Sequence, residues 1–296
     1  MAESGLQPYK GGYYLWKYIP SLPAAVIFTL LFLALTALHC WRVYKTRLWL
    51  GIWFAIGGLM EFIGYAARCS ASSNTGKLMP YIIQNTFLLL PPVLFAASVY
   101  MTLGRIIRSV GPSGERYSPV GTTWLTRVFV AGDAVAFCIQ GGAAGLMATG
   151  GEKAGVGEKI IIGGLVVQVV MFGLFVVTAG VFHWRYERHA VGAVAYGGGG
   201  WREGLVVLYG VSGLIMARSV FRVAEFSMGQ DGYPLTHEWT LYVFDSVLML
   251  GAMLVFYVWH PSKLKGSTAR DRIDSGLVDG ESGMGMQLKT GQGQYH

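Results

Sequence analysis

Charge is what this sequence has least of. Asp, Glu, Lys and Arg make up 13% of its 296 residues, about half the share of a soluble domain. That is too little to cover a water-facing surface, which excludes a soluble enzyme, and the 53% hydrophobic content excludes a disordered chain. Cysteine is equally sparse. Cys40, Cys69 and Cys138 have neither the density of a disulfide scaffold nor the spacing of a metal site. No G-x-x-x-x-G-K-[ST] loop is present, so direct coupling to a nucleotide is not expected. Asn74-Thr75-Gly76 fails the Asn-x-Ser/Thr glycosylation pattern, and no internal repeat is visible. The net charge of +7 is no nucleic-acid footprint in so apolar a chain. It is a topological signal and a match to anionic lipid headgroups.

What the chain does have is apolar stretches of bilayer length, roughly 20 residues each. They fall near 21–41, 48–68, 80–103, 125–147, 159–182, 204–225 and 238–259. The breaks are Arg42–Arg47, Ser70–Lys77, Gly111–Gly121, Gly150–Lys159, His183–Glu203 and Ser227–His237. The expected fold is an all-α integral membrane protein: a seven-transmembrane-helix bundle over 21–260, a short tail at 1–20 and a disordered tail rich in Gly, Ser and charge at 261–296. The first stretch is too long for a signal-peptide core and has no small-x-small cleavage site, so it reads as a retained helix. Lys10, Lys17, Arg68, Lys77, Lys153 and Lys159 lie on one side of this topology. Fourteen Lys and Arg, in Arg42–Arg47, Arg105–Arg116, Arg185–Arg202 and Lys263–Lys289, lie on the other. The positive-inside rule therefore puts the amino terminus outside and the carboxyl terminus in the cytosol, with the plasma membrane as the expected host.

Charges inside such spans are the candidate functional residues, because each costs about 2.5–3.5 kcal/mol on insertion scales and so faces the bundle interior or a wet cavity. They are Glu61, Arg68, Asp133, Arg218, Arg222, Glu225 and Asp245, with Arg127 at the rim of the fourth span. Their signs nearly balance, which suggests mutual pairing. Arg218, Arg222 and Glu225 share one face of the sixth helix at i, i+4 and i+7; Glu61, Tyr65 and Arg68 do the same on the second. We expect one polar cluster in the outer half of the bundle, extended toward the midplane by Asp133, Gln140 and Gln168. Two roles follow for it: a salt-bridge network that fixes helix positions, and a substrate-binding or gating site.

Other features carry structural expectations. Pro91-Pro92 removes two backbone donors in mid-helix and should kink the third span, with a hinge for alternating access as the sharper reading. Gly141 to Gly145 is a G-x-x-x-G, explained by close helix packing. Trp49, Trp201, Trp239 and Trp259 fit interfacial belts, and Gln84 and Asn85 fit interfacial solvation. His39, His183 and His260 fall at cytosolic helix ends, which invites a zinc site. They lie on three helices with no His-x-x-x-His, so interfacial histidines are expected, with no metal, cofactor or catalytic residue assigned.

The run Arg218-Ser219-Val220-Phe221-Arg222-Val223-Ala224-Glu225, followed by Gly229, Gly232, Glu238, Tyr242, Asp245 and His260-Pro261, resembles the last two helices of the fungal RTA-like proteins, the lipid-translocating exporter family. So do Glu61 to Arg68, Leu88-Leu89-Leu90-Pro91-Pro92 leading to Ala96, Ala97 and Tyr100, and Asp133 with Gln140-Gly141-Gly142. The resemblance covers about residues 13–263. It implies a seven-helix membrane protein that moves amphipathic molecules: sphingoid long-chain bases, sterol-like toxic compounds or porphyrins. Glu61, Asp133, Glu225 and Asp245 would then receive an ammonium headgroup, with Arg218 and Arg222 holding the carboxylates ionised or binding a phosphate.

Two other classes compete. A seven-helix receptor or sensor of lipophilic ligands has the same topology, but the last helix lacks an Asn-Pro-x-x-Tyr element and the third ends in Gly104-Arg105-Ile106-Ile107-Arg108. A retinal protein is excluded by the absence of Lys from the last span. An intramembrane zinc-dependent lipid hydrolase would need the histidines above to converge.

Overall fold

The computed structural model describes residues 16, 18–73, 75–110, 112–119, 121–148, 152–189, 200–229 and 232–259. The expected tail at 261–296 and most of that at 1–20 lie outside them, as does His260. The described residues are helical, with no strand among them. In order they form α1 (Leu22–Thr46), a 3-10 turn (Trp49–Gly51), α2 (Ile52–Ser73), α3 (Leu78–Leu89), α4 (Pro91–Ser109) and α5 (Pro112–Tyr117). Then follow α6 (Thr122–Ala148), α7 (Glu152–His189), α8 (Gly200–Ser227), α9 (Tyr233–Thr236), α10 (Glu238–Leu241), a π-helical stretch (Tyr242–Val247) and α11 (Leu248–Val258).

Among the described residues, six segments are long and apolar enough to cross a membrane: 22–46, 49–73, 78–109, 155–188, 200–227 and 238–258. The 27 residues of α6 are not among the six. The helices run past their apolar stretches. Arg42 and Lys45 are still in α1, Ser70–Ser73 in α2 and His183–His189 in α7, although each group reads as a break in the sequence. Polar side chains end contact with hydrocarbon; they do not end a helix, which stops where a cap or a backbone breaker appears. At Arg47 that signal is a left-handed residue, φ 51°, whose N–H caps the Val43 carbonyl.

The helices pack as a ring in which α1 meets α2, α2 meets α4, α4 meets α6, α6 meets α7, α7 meets α8, α8 meets α11, and α11 returns to α1. Because α4 also packs on α8, it is the central strut. An aromatic stack joins four of these helices: Phe54 lies 4.5 Å from Phe95 and 4.1 Å from Phe256, with the His39 ring 5.6 Å away. Such pairs contribute about 0.5–1.5 kcal/mol each beyond their area. In lipid the hydrophobic effect does not drive helices together, so close approach and packing must. On α2, Gly64 allows this: a Cβ there would collide with the Leu88 side chain.

The helices bury their charges and turn large apolar side chains outward. Ile27, Leu30, Val177 and Val258 are 56%, 59%, 62% and 65% exposed, whereas Glu61 and Arg68 are 0% and Asp133 and Asp245 1% exposed. A soluble domain does not present such a surface to water; a bilayer is the solvent it matches. Several local expectations are corrected. Trp201 and Trp259 are buried in the core, where the Trp201 ring meets Tyr186 at 5.0 Å, leaving Trp49 and Trp239 as the exposed members of the belt. His39 is buried and its Nε2 lies 3.1 Å from the Met253 carbonyl oxygen. Gly141 has open space around it, so close packing within the chain does not explain it.

Candidate functional site

The residues expected as one cluster occupy four places. The largest grouping is built by α8, the π-helical stretch and α2. One face of α8 carries Arg218, Arg222 and Glu225, all buried. Arg222 Nη1 donates to Glu225 Oε2 at 2.8 Å and Nη2 to Asp245 Oδ2 at 2.7 Å. Arg218 Nε pairs with the other Asp245 oxygen, so this one carboxylate holds two guanidiniums. Its position within the π-helical stretch matters: the extra residue per turn re-aims the side chain.

Arg218 has a second task. Its Nη2 donates to the backbone carbonyl of Leu88. In a continuous helix that carbonyl would accept from the N–H of residue 92, which is Pro92 and has none. The span accordingly divides into α3 and α4 at Leu90, and an arginine from another helix occupies the acceptor that the break leaves free.

Glu61 faces this group and is treated differently. Its charged neighbours are Asp245, Arg218 and Arg222. It is fully buried, yet neither carboxylate oxygen has a hydrogen-bond partner among the described residues. Both guanidiniums are already engaged elsewhere.

Arg68 stands apart. Its Nε donates to Tyr242 OH at 3.1 Å, Nη1 to Gln84 Oε1 at 3.3 Å, and Nη2 to Tyr18 OH at 3.1 Å and Glu238 Oε1 at 2.7 Å. The Trp16, Tyr18 and Tyr242 rings lie within cation–π range, at 5.6, 5.5 and 5.3 Å. Glu238 Oε1 also accepts from the Ser21 backbone N–H at 2.8 Å, which ties the start of α1 to the start of α10. Gln84 is therefore buried in a protein network, not solvated at an interface. Tyr65, whose hydroxyl meets that of Ser246, stands between the two clusters, its ring 6.2 Å from Tyr242.

The remaining residues pair locally. Asp133 Oδ2 accepts from Tyr100 OH at 2.7 Å, linking α6 to α4, while Oδ1 is without a partner among the described residues. Gln140 Nε2 donates to Gln168 Oε1 at 3.3 Å across α6 and α7. Of the histidines, His183 Nε2 lies 3.5 Å from Glu187 Oε1, and no group of three metal-ligating residues occurs among the described residues.

Sequence reasoning missed Glu238, Tyr18, Gln84 and Tyr100 as members of the polar networks. A signal existed for the first: Glu238, Tyr242 and Asp245 follow one another at i, i+4 and i+7, a one-face spacing. The Leu88 carbonyl could also have been found, since a proline always orphans the acceptor four residues before it.

The family profile described as RTA1 like protein matches residues 54–267, which include Glu61, Arg218, Arg222 and Asp245. The chain belongs to the RTA1-like family. Among its relatives in Saccharomyces cerevisiae, Protein RTA1 is 32% identical over 85% of this chain and 86% of its own length. Protoporphyrin uptake protein 1 is 31% identical over 83% of this chain and 92% of its own. The sphingoid long-chain base transporter RSB1 is 23% identical over 89% and 78%. The match to Protein RTM1, 40% identical over 68% of this chain, spans 64% of that protein. No solved structure matches the chain. Within this RTA1-like chain, the match carries no residue roles of its own; those rest on the geometry above.

Proposed function

We propose that this RTA1-like chain is a multi-pass membrane transporter of amphipathic cations, with sphingoid long-chain bases as the leading substrate class. The observation that carries the reading is Glu61, a carboxyl buried beside Asp245 with no hydrogen-bond partner for either oxygen among the described residues. A long-chain base brings a charged amine and an apolar tail, and this bundle offers an acceptor for the first and an apolar exterior for the second. Two relatives bear names that state transport or uptake of amphipathic molecules.

In this reading α6 is the seventh span: at 1.5 Å per residue its 27 residues reach about 40 Å, enough to cross. The amino terminus is outside and the plasma membrane is the host. All members of the cluster are less than a tenth exposed, so cargo reaches them when the helices part. The Leu90 break between α3 and α4 is the hinge, and Arg218, which holds both Asp245 and the Leu88 carbonyl, couples hinge to site. Asp133, Gln140 and Gln168 line the path on the far side of α4.

The test is transbilayer movement of a fluorescent long-chain base in proteoliposomes. Protein-dependent movement, faster than that of a neutral lipid with the same fluorophore, is the expected result. Folded protein that moves neither overturns the reading.

A further inference from the structure

The charge inventory around Glu61 does not close. Two guanidiniums, Arg218 and Arg222, face three carboxyls, Glu61, Glu225 and Asp245. The ion pairs that form engage Glu225 and Asp245 and leave Glu61 over. From the elements packed around it, the charged groups are Asp245 in the π-helical stretch and Arg218 and Arg222 on α8, with Glu225 entering through its pair with Arg222. On its own helix Tyr65 lies one turn away with its hydroxyl engaged by Ser246, while α1 and α4 meet this part of α2 through Phe32 and Phe95. None of these groups supplies a spare positive charge. A lone buried carboxylate costs several kcal/mol unless something neutralises it, so an external cation must serve.

Two cations fit a carboxyl of this kind: a proton and the ammonium of the cargo. We propose that Glu61 is an exchange site at which a proton and an ammonium headgroup displace one another, so that uptake of a cationic amphiphile into the bundle releases one proton from the protein. The reaction balances as a carboxylic acid and an alkylammonium giving an ammonium carboxylate pair and a free proton. The bundle then carries the same net charge loaded and empty. Movement through the low-dielectric interior never exposes an uncompensated charge, and a proton gradient across the membrane biases the direction of cargo. This rests on the transport reading and adds to it the coupling ion and the residue that exchanges it.

Calorimetric titration of the nanodisc-embedded protein with a long-chain base as its ammonium salt, in buffers of different ionisation enthalpy, counts protons directly. Empty nanodiscs correct for partition into lipid. Wild type should release about one proton per base bound, and Glu61→Gln should release none, because the amide keeps the shape and cannot ionise. Affinity of the wild type should fall about tenfold for each unit the pH drops, the mass-action result for one competing proton. Binding with no proton released, or release that persists in a folded Glu61→Gln protein, overturns the exchange. If that variant fails to fold, the wild-type proton count and pH dependence still decide. Absence of any binding by the folded wild type overturns the transport reading itself, a result distinct from binding without release.

Discussion

Arg68 and Glu61 lie on the same face of α2, both fully buried, and the protein treats them in opposite ways. Every nitrogen of Arg68 donates: four side-chain acceptors and three aromatic rings surround it, and its charge partner among the described residues, Glu238, also anchors the start of α1. Glu61 has no hydrogen bond among the described residues, and the nearby cations are bound to other carboxylates. A finished ion network holds helices together and has nothing further to bind. An unfinished one costs free energy in the resting protein, and such a cost persists at sites that do work. The contrast is the ground on which we propose a structural role for Arg68 and a functional one for Glu61.

The strongest way to break the comparison is to unfinish a finished pair. Asp245→Ala removes the shared partner of Arg218 and Arg222 and should cost about 3–5 kcal/mol, read as a large fall in melting temperature or loss of the monodisperse peak in detergent. Normal stability would mean the arginines are not paired there. Next, Arg68→Gln dismantles the clasp around Tyr18 and Glu238 and should cost about 3 kcal/mol, the range for hydrogen bonds to a charged group. Protease access to the amino-terminal segment should rise with it. Unchanged protection would show that Arg68 does not hold Tyr18 and the start of α1.

How far the sequence foretold this depends on what each residue's partner is. Six of the seven expected span positions match apolar helices among the described residues, because bilayer solvation is a property of one helix at a time. So was the shared face of Arg218, Arg222 and Glu225, which is local geometry. Helix ends were not, since Arg42 or His183 ends hydrocarbon contact without ending the helix. The division of one polar cluster into four was illegible for a different reason. Arg68 and Asp245 stand at compatible depth, but whether they meet depends on helix rotation, and rotation is set by contacts such as Gly64 against Leu88 that no single helix reveals. The saturation of Arg68 needed Tyr18 and Glu238, residues 50 and 170 positions away.

Two smaller effects sharpen the contrast. Gly64→Val sits between the two sites on α2 and forces Leu88 aside, an overpacking cost of about 2 kcal/mol. It should lower the melting temperature less than Arg68→Gln does; no change would mean α2 and α3 are not in close contact. Glu61→Gln should change stability least, by under about 1 kcal/mol, because no hydrogen bond is lost. Its effect should appear in long-chain-base movement, which it abolishes while the melting temperature stays within the wild-type range. A variant that melts early but transports normally would reverse the roles assigned to Glu61 and Arg68.

The most direct measurement is a structure of the protein in lipid with a long-chain base bound. The account predicts headgroup density within hydrogen-bond distance of the Glu61 carboxylate, with Arg68, Glu238 and Tyr18 unchanged beside it. Headgroup density within the Arg68 clasp, with Glu61 still unpartnered, would contradict it.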